Sequence, residues 1–158
     1  MWTKKFNGPG VRYEIAVSIK HGDIVAYNGP FPCGKWPDIT VFRHTLKGRL
    51  GIGEKVVADR GYRGDVKCIC PDNWNSKEHK RAMDLIRARH ETVNGRLKNW
   101  NSLGHKFRHT LQKHHLVFRS ILVLEQHKIN HGKKMFTVNG YFCFLDLPFL
   151  LSSSLISL

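Results

Sequence analysis

Acidic residues are scarce in this sequence, in which 12 Asp and Glu stand against 26 Lys and Arg and give a formal net charge of +14. A chain so poor in negative charge is expected to bind an anionic partner, and nucleic acid is the simplest one. Membrane headgroups are the competing partner. The sequence has no clean amphipathic basic helix ending in lipid-facing aromatics, so the charge favours DNA or RNA and we expect no membrane partner.

Disulfide, zinc and export signals are also missing. The four cysteines form no disulfide framework and match no zinc-ligand spacing, which fits a reducing compartment. The stretch Met1–Phe6 has no apolar run after its basic pair, so it does not resemble a signal peptide. The apolar residues after Met135 are interrupted by Asp146, Pro148 and three serines, which argues against a membrane span.

The length of 158 residues and the hydrophobic content of 41% suit a single α/β domain with a hydrophobic core. Alternating apolar residues from Val11 to Ile19 and a His21-Gly22 turn predict a hairpin that returns through residues 24–27. The glycine- and proline-rich segment 28–37 predicts a loop. Asp38 then predicts the first turn of a helix that ends near Gly51.

A short apolar run, Val56–Ala58, ends in Asp59 and a glycine-hinged loop. This pattern predicts a buried parallel strand. Ligands of open α/β sheets bind just beyond the C-terminal ends of such strands, which makes Asp59 a candidate metal ligand or general base. The alternative interpretation is an aspartate that only caps the loop. Residues 66–70 predict a second, short strand.

Two long helices are predicted next, over about residues 77–100 and 110–128. Met83, Ile86, His90, Val93 and Leu97 form one apolar stripe of the first helix. Glu91 lies on the neighbouring stripe, four residues after Arg87, so it is either a second functional acid or half of a surface salt bridge. The histidine-rich, basic start of the second helix predicts a solvated or phosphate-contacting face. We divide the chain into a lead-in, 1–10, a domain, 11–132, and an apolar tail of unknown role, 133–158.

Four blocks, in this order, resemble the C-terminal part of the nuclease domain of the DDE superfamily endonucleases, which are related to Harbinger and bacterial insertion-sequence transposases. The blocks are Lys5–Glu14, Gly29–Asp38, Ala58–Gly64 and Arg87–Lys98. The resemblance implies a truncated ribonuclease H-like fold, double-stranded DNA as partner, and Mg²⁺ or Mn²⁺ as cofactor. It makes Asp59 the second and Glu91 the third catalytic, metal-binding acid. Basic residues near them would bind phosphates: Arg60, Arg63, Arg87, Lys98, Arg108 and Lys113.

One departure from the family is central. The family's first acid lies on a strand that precedes the hairpin and forms the centre of the sheet, and we expect this chain to lack that strand. Two acids would then hold metal weakly, if at all, because the paired-ion mechanism needs more ligands.

The predicted function is therefore a transposase-derived DNA endonuclease or strand-transfer domain that is crippled when alone. A homo-oligomer or a full-length transposase is expected to supply the missing part in trans. We expect a poorly closed core rather than repair of the sheet by the tail. The alternatives are a non-catalytic DNA-binding remnant and an RNA-binding accessory protein.

Overall fold

The structure is a computed structural model that describes residues 10–71, 76–136 and 150–157. Its strands are β1 (Val11–Ser18), β2 (Ile24–Pro32), β3 (Lys55–Val57), β4 (Cys68–Ile69) and β5 (Leu150–Ser157). Its helices are α1 (Asp38–His44), α2 (Lys77–Lys98), α3 (Asn101–Gly104) and α4 (Leu111–Asn130). The fold is mixed α/β, as the order of sequence patterns predicted. None of these helices is long and apolar enough to cross a membrane.

All five strands form one sheet in the order β2-β1-β5-β3-β4. The hairpin strand β1 pairs antiparallel with β2 on one side and with β5 on the other. The strand that leads to Asp59, β3, pairs parallel with both β4 and β5. The last strand of the chain therefore lies at the centre and joins the hairpin to the parallel pair.

The two faces of the sheet carry different layers. Tyr13, Ile15 and Val17 face a cluster that contains Val93 and Leu97 of α2 and the Phe118 ring of α4. On the other face, Ala16 packs with Phe42 of α1 and Val56 of β3. The apolar stripe predicted for α2 is buried, and Met83 and Ile86 in that stripe pack against Val57. Helix α2 therefore covers the face of the sheet that carries Val57.

Several element boundaries were predicted wrongly. Residues 28–32, predicted as loop, continue β2 because they pair with β1 past a bulge between Arg12 and Glu14. Pro30 is tolerated there because β2 is an edge strand. The helix predicted from Asp38 to Leu50 is divided into α1 and a 3₁₀ turn over Leu46–Arg49. The strand predicted at residues 66–70 shrinks to Cys68–Ile69.

The expectation of a poorly closed core is contradicted by β5. The tail has no alternation that predicts a strand, yet its backbone pairs with β1 from Arg12 to Ser18 and with β3 from Lys55 to Val57. Two flanking edges with unpaired N–H and C=O groups explain why a weakly patterned segment is recruited. The rest of the predicted tail, residues 137–149 and 158, lies outside the described residues, as do residues 1–9 of the lead-in.

Arg89 of α2 connects the end of the hairpin to Phe136. This buried guanidinium donates hydrogen bonds to the carbonyl oxygens of Ile19 and Phe136, and it lies over the Phe136 ring at 5.5 Å from the centroid. Strand β5 begins beside the same end of β1, where Ser18 pairs with Leu151. Phe136 and the start of β5 therefore lie at the same end of the hairpin.

The central position of β5 predicts that a proline substitution in this strand lowers the free energy of unfolding. Because a central strand uses each backbone N–H in its ladder, Ser153→Pro leaves a partner carbonyl unpaired and is expected to destabilise the chain by about 1–3 kcal/mol. Ser153→Thr keeps the N–H and suits a strand, so it should change the free energy of unfolding by less than about 1 kcal/mol. Urea unfolding of both variants measures the difference. Equal midpoints for the two variants would contradict the placement of β5.

Candidate metal and nucleic-acid site

Asp59 lies just beyond the C-terminal end of β3, as predicted. Its backbone is held in place, since Ala58 N–H donates to the carbonyl of Ile69 at 3.1 Å and the Cys70 thiol contacts the Asp59 carbonyl at 3.3 Å. Its side chain is exposed, and Oδ1 accepts a hydrogen bond from Gly61 N–H at 2.9 Å. Asp59 therefore does cap the 3₁₀ turn Arg60–Tyr62, and this cap occupies only one of the two carboxylate oxygens.

A second carboxylate, that of Asp38, lies beside Asp59. A Cβ placed on Gly61 would be 2.6 Å from Asp38 Oδ2 and 3.1 Å from Asp59 Oδ1, so both carboxylates crowd the same glycine. Arg12 binds the other Asp38 oxygen at 2.9 Å. Burial raises the pKa of Asp38 and the Asp59 charge raises it further, while the Arg12 guanidinium lowers it.

Asp38 does begin a helix, but its carboxylate binds Arg12 and does not cap that helix. Sequence reasoning assigned Asp38 only a structural duty. One signal for its proximity to Asp59 was present, because Asp38 closes one of the four blocks that resemble the DDE nucleases.

Glu91 is exposed on α2, one residue after the buried His90. His90 Nε2 is 3.0 Å from the Ile15 carbonyl, so this nitrogen carries the proton and pins α2 to β1. Burial lowers the pKa of His90, whereas the charges of Glu91 and Asp59 both act to raise it. In the described part of α2, Glu91 forms no ion pair with Arg87.

The predicted phosphate-binding residues are all exposed: Arg60, Arg63, Arg87, Lys98, Arg108 and Lys113. Arg60 and Arg63 belong to the loop after Asp59, and Arg87 is one helical turn before Glu91. Lys98 is seven residues beyond Glu91, and Lys113 lies in the first turn of α4. Arg63 also lines an open groove of about 920 Å³ along the edge strand β4. The arginines thus flank the acids, whereas Lys98, Arg108 and Lys113 lie further along the helical layer.

The histidine-rich start of α4 is less exposed than predicted. His114 is buried, its Nδ1 lies 2.9 Å from the Tyr13 hydroxyl, and burial lowers its pKa. The Tyr13 ring also stacks on Phe118 at 3.7 Å between centroids. His114 is therefore part of the core, because the tyrosine opposite gives its imidazole a hydrogen-bond partner. Leu111 and Leu124 of α4 are exposed.

Glu14 is a buried acid that the sequence did not identify as such. Its side chain accepts hydrogen bonds from Asn28 at 2.8 Å and Thr45 at 2.6 Å, and burial raises its pKa. It lies on the α1 face of β1, between Arg12 and Ala16, opposite the face covered by α2. Glu14 is thus separated by the sheet from Glu91.

These residues fit a metal centre only in part. Among the described residues, no three His, Cys, Asp or Glu side chains form a group that would hold a metal ion. Mg²⁺ binds proteins through one or two carboxylates and keeps several waters. Asp59 and Glu91 alone would supply two carboxylates, which are fewer ligands than the clamp of two ions about 3.5–4 Å apart requires.

Comparison with known protein families shows to which family the chain belongs. The DDE superfamily endonuclease family matches residues 1–126, which is most of the chain. The protein therefore belongs to the DDE superfamily endonucleases, and the resemblance of the four sequence blocks is confirmed. No curated protein and no solved structure matches the chain.

Alanine at Gly61 and alanine at Gly95 are predicted to change the free energy of unfolding in opposite directions, because only Gly61 is crowded. In Gly61→Ala the new methyl group would displace one carboxylate and weaken the Asp59 cap, and we expect a loss of about 1–2 kcal/mol. Gly95→Ala is the matched control, because nothing lies within 4 Å of a Cβ at this position in α2. There alanine should stabilise the helix by about 0.5–1 kcal/mol. Urea midpoints measure both changes, and a neutral Gly61→Ala would contradict the described packing.

Proposed function

We propose that this chain is a transposase-derived DNA endonuclease or strand-transfer domain whose catalytic site is incomplete. Asp59 and Glu91 are the acids that remain, and they are the ligands of a divalent Mg²⁺ or Mn²⁺ ion. The observation that carries the proposal is the family membership, together with the position of Asp59 just beyond the C-terminal end of β3. The sheet corresponds, in this proposal, to a ribonuclease H-like sheet whose central place has been taken by β5.

Divalent ions held by such acids stabilise the attacking and leaving oxygens of a phosphoryl displacement. The chain's own residues supply the rest of the site. The rigid end of β3 fixes Asp59, and His90 fixes the part of α2 that carries Glu91. Arg60, Arg63 and Arg87 bind DNA phosphates beside the acids, where Arg–phosphate contacts give affinity without sequence selectivity. With two carboxylates, the site binds one ion and leaves the phosphodiester uncut.

A second function, DNA binding without catalysis, is supported by the charge. The formal net charge is +14, and Lys98, Arg108 and Lys113 are exposed cations away from the two acids. Each neutralised phosphate contributes about 0.9 to the slope of log affinity against log salt. A chain that retains these cations therefore binds duplex DNA even when it cannot cut. Full-length transposase or a second copy is the proposed partner in trans, with DNA as the shared ligand.

The test combines binding and cleavage on the purified chain. We expect salt-sensitive binding to duplex DNA of any sequence, and no nicking of supercoiled plasmid with Mg²⁺ or Mn²⁺. The triple variant Lys98→Glu, Arg108→Glu, Lys113→Glu should bind all sequences more weakly, with a salt slope lower by about 2–3. The control is Lys20→Glu, which changes an exposed cation in the hairpin turn outside the proposed interface.

Each possible result of these assays distinguishes between the proposed functions. Nicking by the native chain that disappears in Asp59→Ala, Glu91→Ala would refute the incomplete site while supporting a nuclease. Salt-insensitive binding would remove the electrostatic argument for a DNA partner. Preference for RNA in competition with duplex DNA would favour an RNA-binding accessory protein instead.

A further inference from the structure

Two exposed histidines lie close together at the C-terminal end of α4. His127 and His131 are four residues apart, and their ring centroids are 4.3 Å apart with the ring planes tilted by 36°. Side chains at positions i and i+4 are neighbours on one face of a helix. The two imidazoles therefore present their nitrogen atoms side by side to solvent.

The backbone beneath this pair is fixed by hydrogen bonds at the end of the helix. His131 N–H donates to the His127 carbonyl at 3.0 Å, which holds the two residues one helical turn apart. Lys133 N–H donates to the Lys128 carbonyl at 2.8 Å, a bond of the kind that ends a helix in the Schellman motif. Arg96 of α2 in turn donates to the Lys133 carbonyl at 2.8 Å. The two rings are thus held close together by the fold itself.

Paired imidazoles at this spacing match the ligand preference of transition-metal ions. Imidazole nitrogen suits Zn²⁺, Cu²⁺ and Ni²⁺, whereas Mg²⁺ takes oxygen ligands. Zn–N bonds are about 2.0–2.1 Å long, so two nitrogens bound to one ion are at most about 4.2 Å apart. Because the ring centroids of His127 and His131 are 4.3 Å apart, side-chain rotation alone brings two nitrogens within that distance. Water would fill the remaining positions of a four-coordinate ion.

The electrostatic surroundings accommodate a cation at this point. The C-terminal end of a helix carries a partial negative charge, which favours cations. The charge of the neighbouring Lys128 is compensated, because its Nζ donates to Glu125 at 2.7 Å and lies over the Trp100 ring at 4.4 Å from the centroid. Lys133 and Lys134, just beyond the helix, are exposed, so solvent and salt screen their charges.

We propose that His127 and His131 form a two-histidine site for a divalent transition-metal ion of the Zn²⁺ class. The inference goes beyond the proposed function, since it uses neither Asp59 nor Glu91 and takes an ion that prefers nitrogen to oxygen. An ion bound to both rings would bridge the last turn of α4. Because only the folded chain holds the two rings together, binding of the ion stabilises the fold.

The test uses the full chain with Zn²⁺ as the probe. His127→Asn and His131→Asn should each weaken Zn²⁺ binding in calorimetry at least about tenfold, since loss of a group that only supports a metal ligand already costs about 10–100-fold. The urea unfolding midpoint of the native chain should rise with Zn²⁺ concentration, and those of both variants should rise less. The imidazole NMR signals of His127 and His131 should shift together as Zn²⁺ is added. An excess of Mg²⁺ should not reverse that shift.

The matched control is the double variant His105→Asn, His109→Asn. These exposed histidines have the same four-residue spacing, but they lie between α3 and α4, outside any helix. Their loss should leave Zn²⁺ affinity unchanged. His131→Cys places another zinc ligand at the helical position, so it should retain the tight binding that His131→Asn loses.

Unchanged Zn²⁺ affinity in both single asparagine variants would overturn the proposal, and so would an equal loss of affinity in the control at positions 105 and 109. Displacement of Zn²⁺ by Mg²⁺ would also overturn it, because the ion would then be bound by oxygen ligands. These outcomes are separate from those of the DNA-binding and cleavage assays. A chain without the histidine site could still bind duplex DNA, and a chain that fails to bind DNA could still hold Zn²⁺ at His127 and His131.

Discussion

The rest of the structure depends on two strand edges, one of β1 and one of β3, which face each other across the centre of the sheet and both pair with β5. The hairpin presents one edge of β1, and the parallel pair presents one edge of β3. Backbone N–H and C=O groups in a buried sheet cost about 1–3 kcal/mol each when they lack partners. Strand β5 satisfies both edges at once, because it is antiparallel to β1 and parallel to β3. The two helical layers can then pack on a continuous sheet.

The elements with strong local patterns were predictable from sequence. The alternation in β1 and the apolar stripe of α2 each agree with the packing in the structure. Strand β5 was not predictable, because its pattern is weak and its pairing is set by two edges that lie far earlier in the chain. The extension of β2 through Gly29 and Pro30 was missed for the same reason, since long-range pairing overrides local loop signals.

The site was predictable to a similar degree. The strand-end position of Asp59 and the exposed helical position of Glu91 follow from local patterns. The proximity of Asp38 to Asp59 depends on how α1 crosses the sheet, and sequence spacing alone does not contain that crossing. The buried partners of His114 and Arg89 could not be predicted either. A polar residue on a helix is expected to face solvent unless a tertiary partner is known.

In this domain of the DDE endonuclease family, β5 closes the sheet between β1 and β3. Amide hydrogen exchange at Ser152, Ser153 and Ser154 tests the closure most directly. If β5 is the central strand, these amides exchange only through global unfolding, with protection that approaches the full free energy of unfolding. Exchange at the rate of an unstructured peptide, while the amides of β1 stay protected, would contradict the account.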